Sequence, residues 1–461
     1  MSEHDSRFAP FAERMAARGL PDLAIESFRR HYRELAGGAT GLIPETEIRP
    51  VDSLPDAESL DPALAEVGRT ALSATVFLKL NGGLGTSMGL DRAKSLIEVK
   101  PGQSFLRILA RHAAHAGAPL VLMNSDRTRA DSLAALEHIR REEPGLVVQE
   151  FVQHMAPKVS QHDLAPARWP QDPDHEWYPP GHGDLYAALH SSGTLQDLLQ
   201  AGMRYLFVSN ADNLGAVLDA RILGHFVERG LGFLMEVADR TPADRKGGHL
   251  ALTRGGEFIL RESAQCPEAE RETFEDIGRH RFFNTNNLWI DLLELSKVLA
   301  AGVPALPLIR NAKTVDPTDP ESPPVYQLES AMGAAISIFP RASALRVPRH
   351  RFAPVKTTAD LLLVRSDRYQ VSAQGQLAPD PAVRHHMVVD LDARFYGRLP
   401  DFEQRFMAAT PSLRECKRLH VSGDVRFGPD IVLQGVVRIT NRSGRQVLLP
   451  GGCIYEGEIT L

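Results

Sequence analysis

The sequence predicts an α/β protein: a mostly parallel sheet with helices on both faces, preceded by a helical arm and followed by a small β-solenoid. Three observations carry that expectation. Between residues 71 and 300, short apolar runs alternate with helical patterns, as in strand–helix–strand units. Polar motifs follow several of these runs directly, at the strand ends outside which ligands collect in open α/β sheets. From Leu419 onward the pattern changes to short apolar runs broken by Gly or Asn, including Val421, Val425, Phe427, Ile431 and Leu433. That spacing suits stacked coils.

A chain of 461 residues can bury a large core and predicts two or three domains. Hydrophobic content of 43% and charged content of 24% are ordinary for a globular protein. A net charge of −6 speaks against broad attraction to nucleic acid or anionic membrane, so a polyanionic substrate must be met by a local cluster of lysines. No apolar run has the length of a membrane span, and Met1-Ser-Glu-His-Asp-Ser6 lacks a charged-then-apolar leader. Cys266, Cys416 and Cys453 are odd in number and far apart, which argues against a disulfide framework or a zinc site. The expected setting is the cytoplasm.

Residues 8 to 36 read as two helices separated by Gly19-Leu-Pro21, with Leu23, Ile25, Phe28, Tyr32 and Leu35 at near-helical spacing in the second. Residues 42 to 70 read as an irregular, Pro-rich arm. The expected strands are Val76–Leu80, Pro119–Met123, Leu146–Phe151, Tyr205–Ser209 and Leu231–Val237. Tyr186 to Leu199 reads as a helix with Asp184 at its capping position. Gln327-Leu-Glu329 reads as the start of an apolar helix, and residues 380 to 418 as a polar connector with one helix from Leu399 to Met407.

The stretch around which the rest is organised is Asn81 to Gly89, with four glycines in nine residues directly after the first strand. Glycines let a ligand approach the backbone closely, successive N–H groups make an anion cradle, and a following helix N-terminus would add positive potential. Lys94 can add a mobile positive charge. The P-loop and dinucleotide fingerprints do not fit, since Leu90 follows Gly89 and Met88 stands where a third glycine is needed.

The other candidates are weaker taken singly. Asp212 follows a strand and suits a Mg²⁺ held by one carboxylate plus substrate phosphates, or else it caps a turn with its Asn neighbours. In Trp177-Tyr-Pro-Pro-Gly-His-Gly-Asp184, two glycines flank His182, which reads as a binding loop or as a rigid surface turn. The amides of Phe283-Asn-Thr-Asn-Asn-Leu-Trp289 could face sugar hydroxyls and fit a hydrogen-bonded turn equally well. Lys356 follows a rigid Pro-Val pair and precedes Thr357-Thr358, with Asp360 where a helix begins; most such lysines are simply exposed. No Ser–His–Asp or Cys–His constellation stands out.

Several of these segments resemble one family. Leu80-Asn-Gly-Gly-Leu-Gly-Thr-Ser-Met-Gly89 is similar to the nucleotide-binding loop of the eukaryotic-type UTP–glucose-1-phosphate uridylyltransferases. Relatives that handle N-acetylhexosamines usually carry Ala at the position of Asn81. Pro179-Pro-Gly-His-Gly-Asp184, Ser209-Asn-Ala-Asp-Asn213 and Pro354-Val-Lys-Thr-Thr-Ala-Asp-Leu361 match further family segments in the same order, from about residue 70 to the end. One departure is Lys158, where the family usually has arginine; the charge is kept and the bidentate geometry lost.

The resemblance implies a Rossmann-like nucleotidyltransferase fold, divided into an arm at 1–70, a catalytic domain at 71–380, and a connector with a β-helix-like domain at 381–461. It implies synthesis of UDP-glucose and pyrophosphate from UTP and glucose 1-phosphate with Mg²⁺ on Asp212. Lys94 and Lys356 would be the catalytic lysines. Leu80, Asn81, Gly82, Gly83, Gly85, Thr86, Met88, Gln153 and Gly181 would hold the nucleotide. His182, Asn210, Gly248, Asn286 and Glu329 would hold the sugar phosphate. It also implies a homo-oligomer through the C-terminal domain. The alternatives are the same chemistry on another sugar 1-phosphate, or a sugar-nucleotide sensor without turnover.

Overall fold

The computed structural model describes residues 3–383 and 387–461. Its central sheet follows from the run Thr75–Asn81, in which Val76, Phe77 and Leu78 are all fully buried. A strand buried on both faces favours apolar residues at successive positions, which is why Val76-Phe-Leu78 reads as a continuous run. Thr75–Asn81 pairs in parallel with Leu120–Asn124 on one side and Tyr205–Asn210 on the other, and Val148–Val152 extends the sheet beyond Leu120–Asn124. Phe233–Asp239 runs parallel to Ala342–Arg346. All five expected strands are present within about two residues of their expected limits.

Alternate side chains enter two cores. Phe77, Leu120, Leu122 and Phe207 face the helix Phe105–Ala116. Val76, Leu78, Val121 and Val208 face the helices Leu185–Ser191 and Leu292–Ala300. The first core runs on without a break through Tyr396, Phe402 and Leu413 into Phe427, Leu433 and Ile439 of the C-terminal region. There, Val388–Leu391, Cys416–Ser422, Val432–Thr440 and Ile454–Thr460 stack in parallel, with Val425–Phe427 and Val447–Leu449 paired beside them.

Several expectations are corrected. Phe282–Asp291, with its amide-rich centre, is no turn: it is an interior strand lying antiparallel between Tyr205–Asn210 and Phe233–Asp239. Gln327-Leu-Glu329 closes the strand Pro324–Glu329, paired with Ile309–Thr314, and starts no helix. The expected helix from Tyr186 is broken at Gly193, giving Leu185–Ser191 and Thr194–Gln200. The connector carries two short helices, Ala393–Tyr396 and Leu399–Arg405. The arm holds a helix, Leu64–Leu72, pressed onto Ala220–Glu228.

Two glycines make that last contact possible: a Cβ on Gly68 would stand 1.7 Å from the Ala220 carbonyl oxygen, and one on Gly224 1.9 Å from that of Leu64. Gly224→Ala should therefore destabilise the fold by about 1–3 kcal/mol, read from the midpoint of denaturant unfolding. An unchanged midpoint would mean that the helices can separate freely.

The helices Glu3–Ala17 and Asp22–Ala36 form the expected N-terminal pair. Phe8, Phe11, Phe28 and Tyr32 cluster between them and pack over Ala156, Trp177, Tyr178 and Leu328. Among the described residues, no helix is long and apolar enough to cross a membrane.

Candidate functional site

The glycine loop leaves the C-terminal edge of the sheet and folds on itself. The N–H groups of Met88 and Leu90 donate to the Gly85 carbonyl at 2.9 and 3.0 Å, and Lys94 N–H donates to the Gly83 carbonyl at 3.2 Å. Gly89 has φ +71°, a conformation open to glycine at no steric cost. Thr86–Met88 and Lys94–Leu96 are single 3₁₀ turns, and the next α-helix begins only at Phe105, so no α-helix follows the loop directly. Positive charge at the loop comes from side chains: Lys94 at its end, and Arg398, whose guanidinium lies against Gly89.

The residues expected in this loop play unlike parts. A Cβ on Gly83 would meet nothing within 4 Å, so that backbone is open to a ligand. One on Gly82 would stand 2.7 Å from Gln153 Oε1, which brings the Gln153 amide against the loop. Met88 is fully buried in the core and anchors the loop from beneath. The Asn81 side chain also turns inward, donating to Asn124 Oδ1 at 2.7 Å and Ser132 Oγ at 2.8 Å. Thr86 is exposed, and the Leu80 carbonyl accepts from Ala211 N–H at 3.1 Å, tying the loop's root to the turn that holds Asp212.

In that turn the Asn210 carbonyl accepts from Asn213 N–H, and Asp212 Oδ2 lies 2.6 Å from Lys94 Nζ. The two side chains are 18% and 15% exposed. Asp212 Oδ1 is buried and has no hydrogen-bond partner. A buried carboxylate oxygen left unpaired beside the glycine loop fits a divalent cation. Among the described residues no group of three or more His, Cys, Asp or Glu side chains could hold a metal. The remaining ligands would have to come from substrate phosphates and water, the usual arrangement for Mg²⁺.

Lys356 is brought to the same edge by a buried network. Arg351 Nε and Nη2 donate to both oxygens of the fully buried Glu236, at 2.8 and 2.6 Å. Trp289 Nε1 and Asn287 Nδ2 donate to the same carboxylate. The Arg351 carbonyl accepts from Asn213 Nδ2 at 3.1 Å, Asn213 Oδ1 accepts from Ala353 N–H at 3.0 Å, and Val355 N–H donates to the Asp212 carbonyl at 3.2 Å. The chain leading to Lys356 is thus stitched to the Asp212 turn. Beyond it, Asp360 accepts from the N–H groups of Lys356 and Thr357, closing the N-terminus of the helix Thr358–Arg365. Lys79 lies behind, wholly buried, and donates to the Ala216 carbonyl at 3.0 Å. Burial, reinforced by the Arg351 charge, pushes its pKa far down.

Across the edge, the segment carrying Gly181 and His182 rests on Glu329-Ser330. A Cβ on Gly181, at φ +80°, would stand 2.6 Å from the Ser330 carbonyl oxygen. Met332 N–H donates to His182 Nδ1 at 2.9 Å, so the proton of the neutral ring sits on Nε2. Burial lowers the His182 pKa to about 4, which keeps the ring neutral. The Asp184 carboxylate caps no helix; it accepts from His154 N–H and lies 2.8 Å from His154 Nδ1.

Gly248 and Asn286 are joined through Asn284, in the middle of the antiparallel strand. Asn286 has φ +59° beside the register shift between Glu236 and Val237, and its Oδ1 accepts from Asn284 Nδ2 at 2.9 Å. The Gly248 carbonyl accepts from Asn284 N–H, and a Cβ on Gly248 would stand 2.4 Å from Glu262 Oε2. Burial raises the Glu262 pKa against the opposing pull of Asn284 and the Lys356 charge. Burial likewise raises Glu329, opposed by Asn311 and Lys313. Glu262, Glu236, Lys79 and His154 were not singled out in the sequence. Each sits in a run whose local pattern gives no sign of the partners, which for Glu236, Lys79 and His154 lie far along the chain.

A glycine loop, a lysine-paired aspartate and a second lysine at the C-terminal edge of a mostly parallel sheet define the class: a nucleotidyltransferase-type α/β protein. Comparison with known proteins carries this further. The family model for UTP–glucose-1-phosphate uridylyltransferase matches residues 25–434, and the chain belongs to that family. It is 38% identical to UTP–glucose-1-phosphate uridylyltransferase of Solanum tuberosum over 409 residues, 87% of this chain and 83% of that one. It is 39% identical to the Saccharomyces cerevisiae protein of the same name over 398 residues, 84% of this chain and 78% of that one. A crystal structure of a UDP-glucose pyrophosphorylase mutant from Leishmania major in complex with UDP-glucose superposes with a TM-score of 0.90 at 42% identity, covering 100% of both chains.

Proposed function

We propose that the protein makes UDP-glucose and pyrophosphate from UTP and glucose 1-phosphate, reversibly and with Mg²⁺, by direct displacement at the α-phosphorus. The observation that carries the reading is the Asp212–Lys94 pair at the mouth of the glycine loop, with one Asp212 oxygen buried and unpaired. A phosphate oxygen of glucose 1-phosphate attacks the α-phosphorus, the α–β P–O bond breaks in line, and pyrophosphate leaves. That oxygen is already anionic, so neither a general base nor a covalent enzyme intermediate is needed. Bound Mg²⁺ supplies charge neutralisation on the phosphates.

The chain's own groups bind, orient and compensate charge. Leu80, Asn81, Gly82, Gly83, Gly85, Thr86 and Met88 form and anchor the phosphate cradle, and Lys94 faces the triphosphate. Gln153 and Gly181 border the uracil. His182 offers Nε2–H to the sugar phosphate. Asn210, Gly248, Asn286 and Glu329 surround the hexose, and Lys356 stabilises the charge that develops as the two anions meet. Residues 71–380 are the catalytic domain in this reading, with the arm at 1–70 and the connector and solenoid at 381–461. Three free cysteines are in keeping with a cytoplasmic setting, and exposed Val436, Leu448 and Ile454 on the solenoid with self-association.

The test is pyrophosphate release with UTP, Mg²⁺ and a panel of sugar 1-phosphates. Glucose 1-phosphate should win, and UTP should outperform the other nucleoside triphosphates. Preference for another sugar would reject the hexose assignment, and UDP-glucose binding without turnover would make the protein a sensor. Asp212→Asn should raise the Mg²⁺ concentration for half-maximal rate by about 5–10-fold, the effect of one unit charge a few ångströms away in a solvated site. An unshifted Mg²⁺ curve would remove Asp212 from the metal site.

A further inference from the structure

We infer that His154 is a positioning residue for nucleobase selection: with Asp184 and Ser191 it clamps the Gln153 segment to the Gly181–Asp184 turn. The inference rests on the uridylyl-transfer reading above. His154 grips both oxygens of one carboxylate, its N–H donating to Asp184 Oδ2 at 2.6 Å and its ring Nδ1 lying 2.8 Å from Asp184 Oδ1. A carboxylate only accepts, so Nδ1 carries the proton. On the far side of the ring, Nε2 stands 3.0 Å from Ser191 Oγ, which is itself 2.8 Å from the Ala187 carbonyl oxygen in its own helix. The ring is therefore fixed at Nδ1, and at Nε2 it meets a hydroxyl whose single proton the Ala187 carbonyl also accepts.

Those bonds are shielded. The Asp184 and His154 side chains are 5% and 11% exposed, and the N-terminal helices close over them with a cavity of only about 20 Å³ between His31, His154, Asp184 and Ser330. A charged hydrogen bond out of water is worth more than one at the surface.

What the clamp joins gives it a role. Residue 153, next to His154, lays its amide against Gly82 of the phosphate loop. Gly181, three residues before Asp184, lies against Ser330 on the sugar side. A base lying between the Gln153 amide and the Gly181 backbone occupies a gap whose width the clamp sets. Lys94, Asp212 and Lys356 stand on other segments, so cutting the clamp loosens the base without moving the groups at the phosphorus. The arrangement looks like a hydrolytic triad, but the Ala187 carbonyl competes with Nε2 for the one Ser191 proton.

The full-length protein is compared with His154→Ala and His154→Asn, measuring KM and kcat for UTP and CTP with glucose 1-phosphate, and Tm. The Ala variant should raise the KM for UTP about tenfold, or about 1.4 kcal/mol, and narrow the UTP-over-CTP preference by a similar factor. Its kcat should change by less than about threefold. An Asn amide placed where Nδ1 was can still donate to Asp184, so His154→Asn should restore most of the preference. An unchanged KM and preference in the Ala variant overturns the proposal. So does a loss of kcat that is equal for both nucleotides, tracks Tm and is not relieved by Asn. If the wild type does not turn over UTP, the uridylyl-transfer reading fails separately, and calorimetric UTP and CTP affinities of the same variants still decide for or against the clamp.

Discussion

Lys356→Ala should lower turnover by about 10²–10³-fold and leave the melting temperature within about a degree of the parent. The rate effect is the usual cost of removing one preorganised charge from a site where negative charge gathers in the transition state. Stability should hold because the side chain is exposed, and the segment is fixed by others: Asp360 through two backbone N–H groups, Val355 through Asp212, and Arg351 through Glu236. Lys356→Arg should recover only part of the rate, since it restores the charge with a different reach and fork. Steady-state kcat beside a thermal melt is the measurement. Near-normal turnover in the Ala variant would take Lys356 out of the reaction.

Glu236→Ala should be the most destabilising substitution in the site, by about 3–5 kcal/mol, because it leaves the buried Arg351 charge without its partner. Glu236 is fully buried and accepts from Arg351, Asn287 and Trp289 together, with Lys79 also sealed close by. The damage should reach activity too. Arg351 and Asn213 together fix the chain to Lys356, so loss of the pairing frees that lysine relative to Asp212. Glu236→Leu combined with Arg351→Met should recover most of the stability, since a buried ion pair replaced whole costs far less than one broken in half. Denaturant unfolding of both single variants and the double variant measures the coupling. Additive losses would show that the two residues contribute independently.

Four of the five parallel strands were legible in the sequence because a strand buried on both faces reads as a largely apolar run, while Val148–Val152 is a half-buried strand with Gln149 and Glu150 inside it; the sheet's ligand edge was marked by polar residues at the ends of three of the five. The glycine loop, Asp212 and Lys356 could be singled out for the same reason: each is a short motif next to an element whose type the local pattern settles. The α-helix expected after the glycine loop was a local inference that failed, since the chain makes two 3₁₀ turns there instead. Phe282–Asp291 could not be read as an interior strand, because Asn284, Thr285 and Asn287 look like a turn until Glu236, far away in sequence, supplies partners for Thr285 and Asn287, and Gly248 one for Asn284. Glu329 ends a strand only because Ile309–Thr314 pairs with it, and Leu64–Leu72 is helical where composition looked irregular because Gly68 and Gly224 let it press onto a second helix. Asp184 looked like a cap and became half of a clamp on His154. Local pattern determines what a segment can be wherever burial forces its composition. Where a polar side chain is buried, its role belongs to whichever distant group completes its hydrogen bonds, and only the tertiary structure brings that group near.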